Sequence, residues 1–137
     1  MLARYLVAFT LVASGSCFAQ ANVGEVIKIG GAKMSREALQ QLHAGGVTMK
    51  GALANGTPFS QMNKADGTVG GTAGNNGQFT LSGTWKIDDG GKYCHDVAAS
   101  GGLKFNSCSV IWKTDSKYFA AADDAVATAV RERQFVK

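Results

Sequence analysis

Proline, histidine and long apolar runs are nearly missing from this chain, and each shortage closes off a class of structure. Of 137 residues one is proline (Pro58), two are histidine (His43 and His95) and three are cysteine. These cysteines and histidines match no zinc-binding spacing. No Cys-x-x-Cys pair occurs, which removes the commonest redox motif. The longest apolar run, residues 5–13, covers about nine residues, half of what a membrane-crossing helix needs. Charged residues make up only 18% of the chain and form no block of one sign, so a solvated surface accounts for them. There is no G-x-G-x-x-G, no P-loop lysine and no G-x-S-x-G elbow. The acidic pairs Asp88/Asp89 and Asp123/Asp124 lack the ligand ladder of a calcium loop and read as turns. No cofactor or metal is expected.

What the chain has in excess is glycine, 18 residues or about twice the usual share. That suits tight turns and closely packed strands and argues against a helical bundle. The strongest pattern lies in residues 78–113. Phe79, Leu81, Gly83, Trp85 and Ile87 alternate with Thr80, Ser82, Thr84 and Lys86, the period of a strand with one buried face. Residues 88–91 supply a turn, 92–97 a second extended run with Cys94, and 103–113 a third with Cys108 and Trp112. Upstream, Asn55 with Gly56 and Asp66 with Gly67 are hairpin signals between runs 47–54, 57–63 and 68–72.

Residues 35–44 read as the one convincing helix: Ser35 caps it, Ala38, Leu39 and Leu42 form its apolar stripe, and Gly45 stops it. So short a helix must dock on an open end or side of the sheet. Residues 22–33 read either as a first strand or as a packed lead-in. After a short run at 117–122, residues 125–137 offer both a helical and a strand pattern. The strand is preferred, because a meander otherwise leaves an apolar edge open. The expected fold is mainly β: a small antiparallel meander, barrel or sandwich, with one short N-terminal helix, residues 22–137 forming a single domain.

Residues 1–21 read as a cleaved signal peptide, with Arg4, the apolar run and an Ala19/Ala21 cleavage site that allows cutting after either alanine. Cys17 raises a lipoprotein alternative, but Ser14 and Ser16 stand where a lipobox has leucine and a small apolar residue. The expectation is a periplasmic or secreted protein without a transmembrane segment in its mature chain. Export removes Cys17 and leaves Cys94 and Cys108, an even pair expected to be disulfide-bonded. The formal charge of +4 loses one unit with Arg4.

The helix SREALQQLHAGGVTMKG, then NGTPF, ADGTVGG, GTWKI and the two spaced cysteines before KYF, together resemble an uncharacterised family of small exported bacterial proteins, a domain of unknown function. The resemblance spans residues 34–119 and implies a lipocalin-like or related small β-barrel. It implies no activity and no catalytic residues.

In Cys94, His95 and Asp96, strand alternation sends His95 to one face and its neighbours to the other, so the three form no triad. Aromatics interleaved with lysines (Trp85/Lys86, Phe105/Lys104, Trp112/Lys113) resemble a nucleic-acid wall, yet the same pattern describes an ordinary barrel with aromatics inside. The expectation is therefore a non-enzymatic binding module for a small apolar ligand or an envelope protein, without nucleic acid. Phe79, Trp85, Phe105 and Trp112 are expected to face the interior. The alternatives are a small hydrolase using His95 with Asp115 or Asp66, and a polyanion-binding envelope protein.

Overall fold

The structure, a computed structural model, describes residues 21–137; the expected signal peptide, Cys17 included, lies outside the described residues except for Ala21. The chain order is α1 (Val23–Lys28), β1 (Ala32–Lys33), α2 (Arg36–His43), β2 (Val47–Ala52), β3 (Pro58–Asn63), β4 (Thr68–Ala73), β5 (Phe79–Ile87), β6 (Tyr93–Ala99), β7 (Lys104–Lys113), β8 (Tyr118–Ala121) and β9 (Val130–Val136). From β2 onward each strand pairs antiparallel with the next, and β9 pairs back onto β2. The result is a closed eight-stranded barrel, so the barrel rather than the sandwich is the architecture. Closure pairs most strands along both edges; residues 104–109 of β7 pair only with β6.

The hairpins form where glycine supplies positive φ. In the β2–β3 turn Gly56 sits at φ 83° and the Asn55 side chain accepts from the Thr57 amide at 3.0 Å. Close packing of the strands adds a second requirement for glycine at Gly71, which also has φ 131°, and at Gly83, two inward positions on β4 and β5. A Cβ at Gly83 would stand 2.0 Å from the Asp96 carbonyl oxygen, and one at Gly71 would stand 2.1 Å from that of Ser60. Only bare backbone permits so close an approach.

Alternation divides the wall into two faces. Outward positions on the strands are largely polar, as with Thr80, Ser82, Thr84 and Lys86 on β5, the reverse of a lipid-facing barrel. Among the described residues no helix is long and apolar enough to cross a membrane. The inward positions form two clusters. One joins Val69, Leu81 and Val97 with Phe59, Phe79 and Phe105; the other joins Met49, Tyr93 and Ile111 with Leu39 of α2.

The second cluster is the floor of the barrel. Ser35 caps α2 through its Oγ, which accepts from the Ala38 amide at 3.1 Å, and Leu39 and His43 are fully buried against the strand ends. The expected docking of this helix on an open end is what occurs. Residues 22–33 form the packed lead-in, one of the two expectations, with α1 at its start and the two-residue β1 paired with Trp112 and Lys113 of β7. Asn22 and Glu25 form a capping box, each side chain accepting the other's backbone amide at 3.0 Å, which stabilises a helix as short as this one. Val23 and Val26 of α1 cover the outside of the barrel at Val110, Trp112, Phe119 and Val130.

Cys94 and Cys108 are disulfide-bonded as directly opposed residues of β6 and β7, with Cα atoms 4.0 Å apart. The bond lies on the outward face, opposite in direction to His95.

Candidate functional site

A cavity of about 370 Å³ occupies the barrel interior above the α2 floor, within the size range of small-molecule sites. Its wall changes character along three of the strands that line it. On β3 the inward series runs Phe59, Gln61, Asn63; on β6, from the open end, Val97, His95, Tyr93; on β7, Phe105, Ser107, Ser109. Each of these three series begins apolar at the open end and turns polar further in, while Ile111 on β7 and Met49 on β2 keep the lining next to the floor partly apolar. The cavity is therefore amphipathic.

The polar half is partly wired. Gln61 Nε2 donates to Asn63 Oδ1 at 2.8 Å and to the Tyr93 hydroxyl at 2.6 Å, and that hydroxyl donates to Asn63 Oδ1 at 3.0 Å. Burial pushes the Tyr93 phenol well above its ordinary value, so it stays protonated. His95 Nε2 lies 3.0 Å from Ser107 Oγ, while His95 Nδ1 is buried without a hydrogen-bond partner among the described residues. Burial, reinforced by the nearby Arg133 guanidinium, lowers the His95 pKa and keeps the ring neutral.

Three cations complete the lining, Lys104, Arg131 and Arg133. Arg131 and Arg133 project inward from β9, and Arg133 Nη1 donates to the carbonyls of Ala52 at 3.2 Å and Glu132 at 3.0 Å. Arg133 lies 5.1 Å from the centre of the Phe59 ring. Burial and the neighbouring Arg131 lower its pKa. No carboxylate lines the cavity, and neither arginine has one within 4.0 Å among the described residues.

The cavity also reaches the wall. β8 pairs only with Val110–Lys113 of β7. Beside the unpaired half of β7, Asn106, an outward residue, lines the cavity together with Lys104 and Arg131. This seam borders the cavity.

The four aromatics expected inside have different fates. Phe105 lines the cavity, and Phe79 faces inward in the apolar cluster behind it. Trp85 also faces inward, but at the floor: its ring stacks on His43 at 4.7 Å and its Nε1 donates to the Lys64 carbonyl at 2.8 Å. Trp112 does not face inward. It lies on the outer face beneath α1, because it stands seven residues from Phe105 on one regular strand and alternation puts the two on opposite sides. Lys113 takes the inward position beside it and sits 5.6 Å from the Tyr118 ring centre.

A helix C-terminus favours an imidazolium, yet His43 is buried between Trp85 and Tyr93, its Nδ1 donating to the Leu39 carbonyl at 2.8 Å. Burial lowers its pKa and leaves it neutral. Asp66 lies at the floor end beside Thr68, and Asp115 in the turn after β7; neither lines the cavity that holds His95.

The strand preferred for residues 125–137 forms as β9 over Val130–Val136, but that reading does not single out Arg131 and Arg133. The signal available was VRERQFV, in which Arg131, Arg133 and Phe135 share one face of a strand.

Fold and cavity together define a class, a closed antiparallel meander barrel with an amphipathic, cation-bearing interior. Comparison with known proteins adds no narrower identity: no family model, no curated protein and no solved structure matches the chain.

Proposed function

We propose that the protein is an exported, non-enzymatic binding module that holds a small, largely apolar ligand inside its barrel. The observation that carries this is the cavity of about 370 Å³ whose outer half is walled by Phe59, Leu81, Val97 and Phe105. A folded domain of this size ordinarily fills its interior with side chains, and a small barrel that leaves a ligand-sized space is built to receive something. The Cys94–Cys108 disulfide supports an oxidising location such as the periplasm. The resemblance to small exported bacterial proteins belongs to the same proposal and rests on the order of the motifs. Titration with the neutral fluorescent probe N-phenyl-1-naphthylamine tests the reading. Saturable binding that Val97→Trp abolishes, with near-ultraviolet circular dichroism unchanged, is expected; absence of binding by the unaltered protein would remove it.

One contact favours a second reading, a small hydrolase. Ser107 Oγ lies within hydrogen-bond reach of His95 Nε2 inside the cavity, the relation between a nucleophile and its base. Binding is preferred because no third group orients the ring: His95 Nδ1 has no partner among the described residues. Turnover of p-nitrophenyl butyrate that disappears in Ser107→Ala would reverse the preference.

A further inference from the structure

Arg133 is a half-buried cation whose strongest available partner is not part of the protein. Of its donors, Nη1 is engaged by two backbone carbonyls, whereas Nε and Nη2 have no protein acceptor among the described residues. Its neighbour on the inward face is a second cation, Arg131, two residues away on β9. The other titratable groups around it, Tyr93 and His95, are neutral. The Phe59 ring offers only the modest attraction of an aromatic face. Two like charges held together in a recess repel, and a desolvated guanidinium is favoured only when an anion meets it.

The free Nε–Nη2 edge of Arg133 is a planar fork of two donors, the shape that matches the two oxygens of a carboxylate. Arg133 stands level with Phe59, both being paired to Gly51, and its Nη1 meets the Ala52 carbonyl at the open end of β2. Phe59, Leu81, Val97 and Phe105 line the same cavity. A ligand satisfying both features has an acidic head at the Arg133 fork and an apolar body against those side chains.

We propose that the ligand is an amphipathic organic carboxylate, its head bound by the Arg133 fork with Arg131 adding charge, and its apolar body lying against Phe59, Leu81, Val97 and Phe105. This rests on the ligand-binding reading above and adds to it the charge and the headgroup of the ligand. Arg131 and Lys104 at the seam also draw such an anion toward the cavity.

The test is isothermal titration of the mature protein with dodecanoate, dodecanol and dodecyltrimethylammonium, each below its critical micelle concentration. Dodecanoate is expected to bind at least tenfold more tightly than dodecanol, with the cation weakest. Arg133→Gln should weaken dodecanoate about 10- to 100-fold, the value of a lost charge-assisted bidentate pair, and leave dodecanol unchanged. Equal affinity for dodecanoate and dodecanol would overturn the carboxylate inference while the apolar-ligand reading stood. Arg133→Gln weakening both ligands alike would do the same. No binding by any of the three would overturn both. If Arg133→Gln fails to fold, Arg131→Gln takes its place with the same expectation at several-fold, and the three-ligand comparison on the unaltered protein still decides.

Discussion

Arg133 lies across Gly51, its direct partner on the neighbouring strand: a Cβ on that glycine would stand 2.7 Å from Nη1 and 3.0 Å from Cδ of the arginine. Gly51 does not adopt positive φ, so the position requires space rather than conformational freedom. The glycine leaves a shelf on which an inward arginine can extend toward the cavity.

Gly51→Ala should therefore be tolerated by the backbone and felt by the side chain. The expected result is a several-fold loss of dodecanoate affinity with dodecanol unaffected. The overpacking should lower stability by about 1–3 kcal/mol at most. Calorimetric titration and a urea melt of the same preparation check both parts; unchanged dodecanoate affinity would mean that the shelf does not position the guanidinium.

The disulfide joins β6 to β7 on the outer face and closes a short loop, its cysteines 14 residues apart in sequence. Chain entropy assigns such a crosslink about 3 kcal/mol. Cys94→Ser should lower unfolding free energy by about 2–5 kcal/mol and leave the cavity and its ligand affinity intact. Thiol titration of the native protein comprising residues 22–137 is expected to find none free, and two free thiols would contradict the pairing.

Trp112 and Phe105 lie on one strand but serve different spaces. Trp112→Ala should loosen α1 from the wall and cost about 3–5 kcal/mol, with little change in ligand binding. Phe105→Ala should weaken the binding of dodecanol and dodecanoate together, because it removes apolar wall. Hydrogen exchange in residues 23–28, compared with titration, separates the two effects.

Stability should also fall on mild acidification. His43 and His95 have folded-state pKa values below the unfolded value of about 6.5, so the folded chain resists protonation that the unfolded chain accepts. Their contribution is complete above about pH 6.5 and is lost as pH drops below it. Asp66 and Asp123, whose pKa values are lowered by hydrogen bonds to Thr68 and Thr128, act only in the more acidic carboxylate range. Denaturant unfolding between pH 7 and 5 should show the decline, and His43→Phe should make it shallower. An unchanged slope in that variant would show that His43 is not a source of it.

Local chemistry carried much of the architecture into the sequence. Asn55 with Gly56 and Asp66 with Gly67 dictate turns through their own backbone preferences, and Ser35 starts a helix that has an apolar stripe to bury. Alternation along 79–87 marks a half-buried strand, and the capping box of Asn22 and Glu25 was equally readable as the start of α1. Other features follow from pairings between residues far apart in the chain. Whether the meander closes depends on β9 meeting β2 and on β8 meeting the end of β7, and no local preference encodes those encounters. Alternation alone shows that Phe105 and Trp112 face opposite ways, and that Arg131 and Arg133 face the same way. Which of those faces is the inside is decided only when the ring closes. The burial of His43 between Trp85 and Tyr93 is likewise a tertiary outcome, since a helix end left in water would have kept that ring charged.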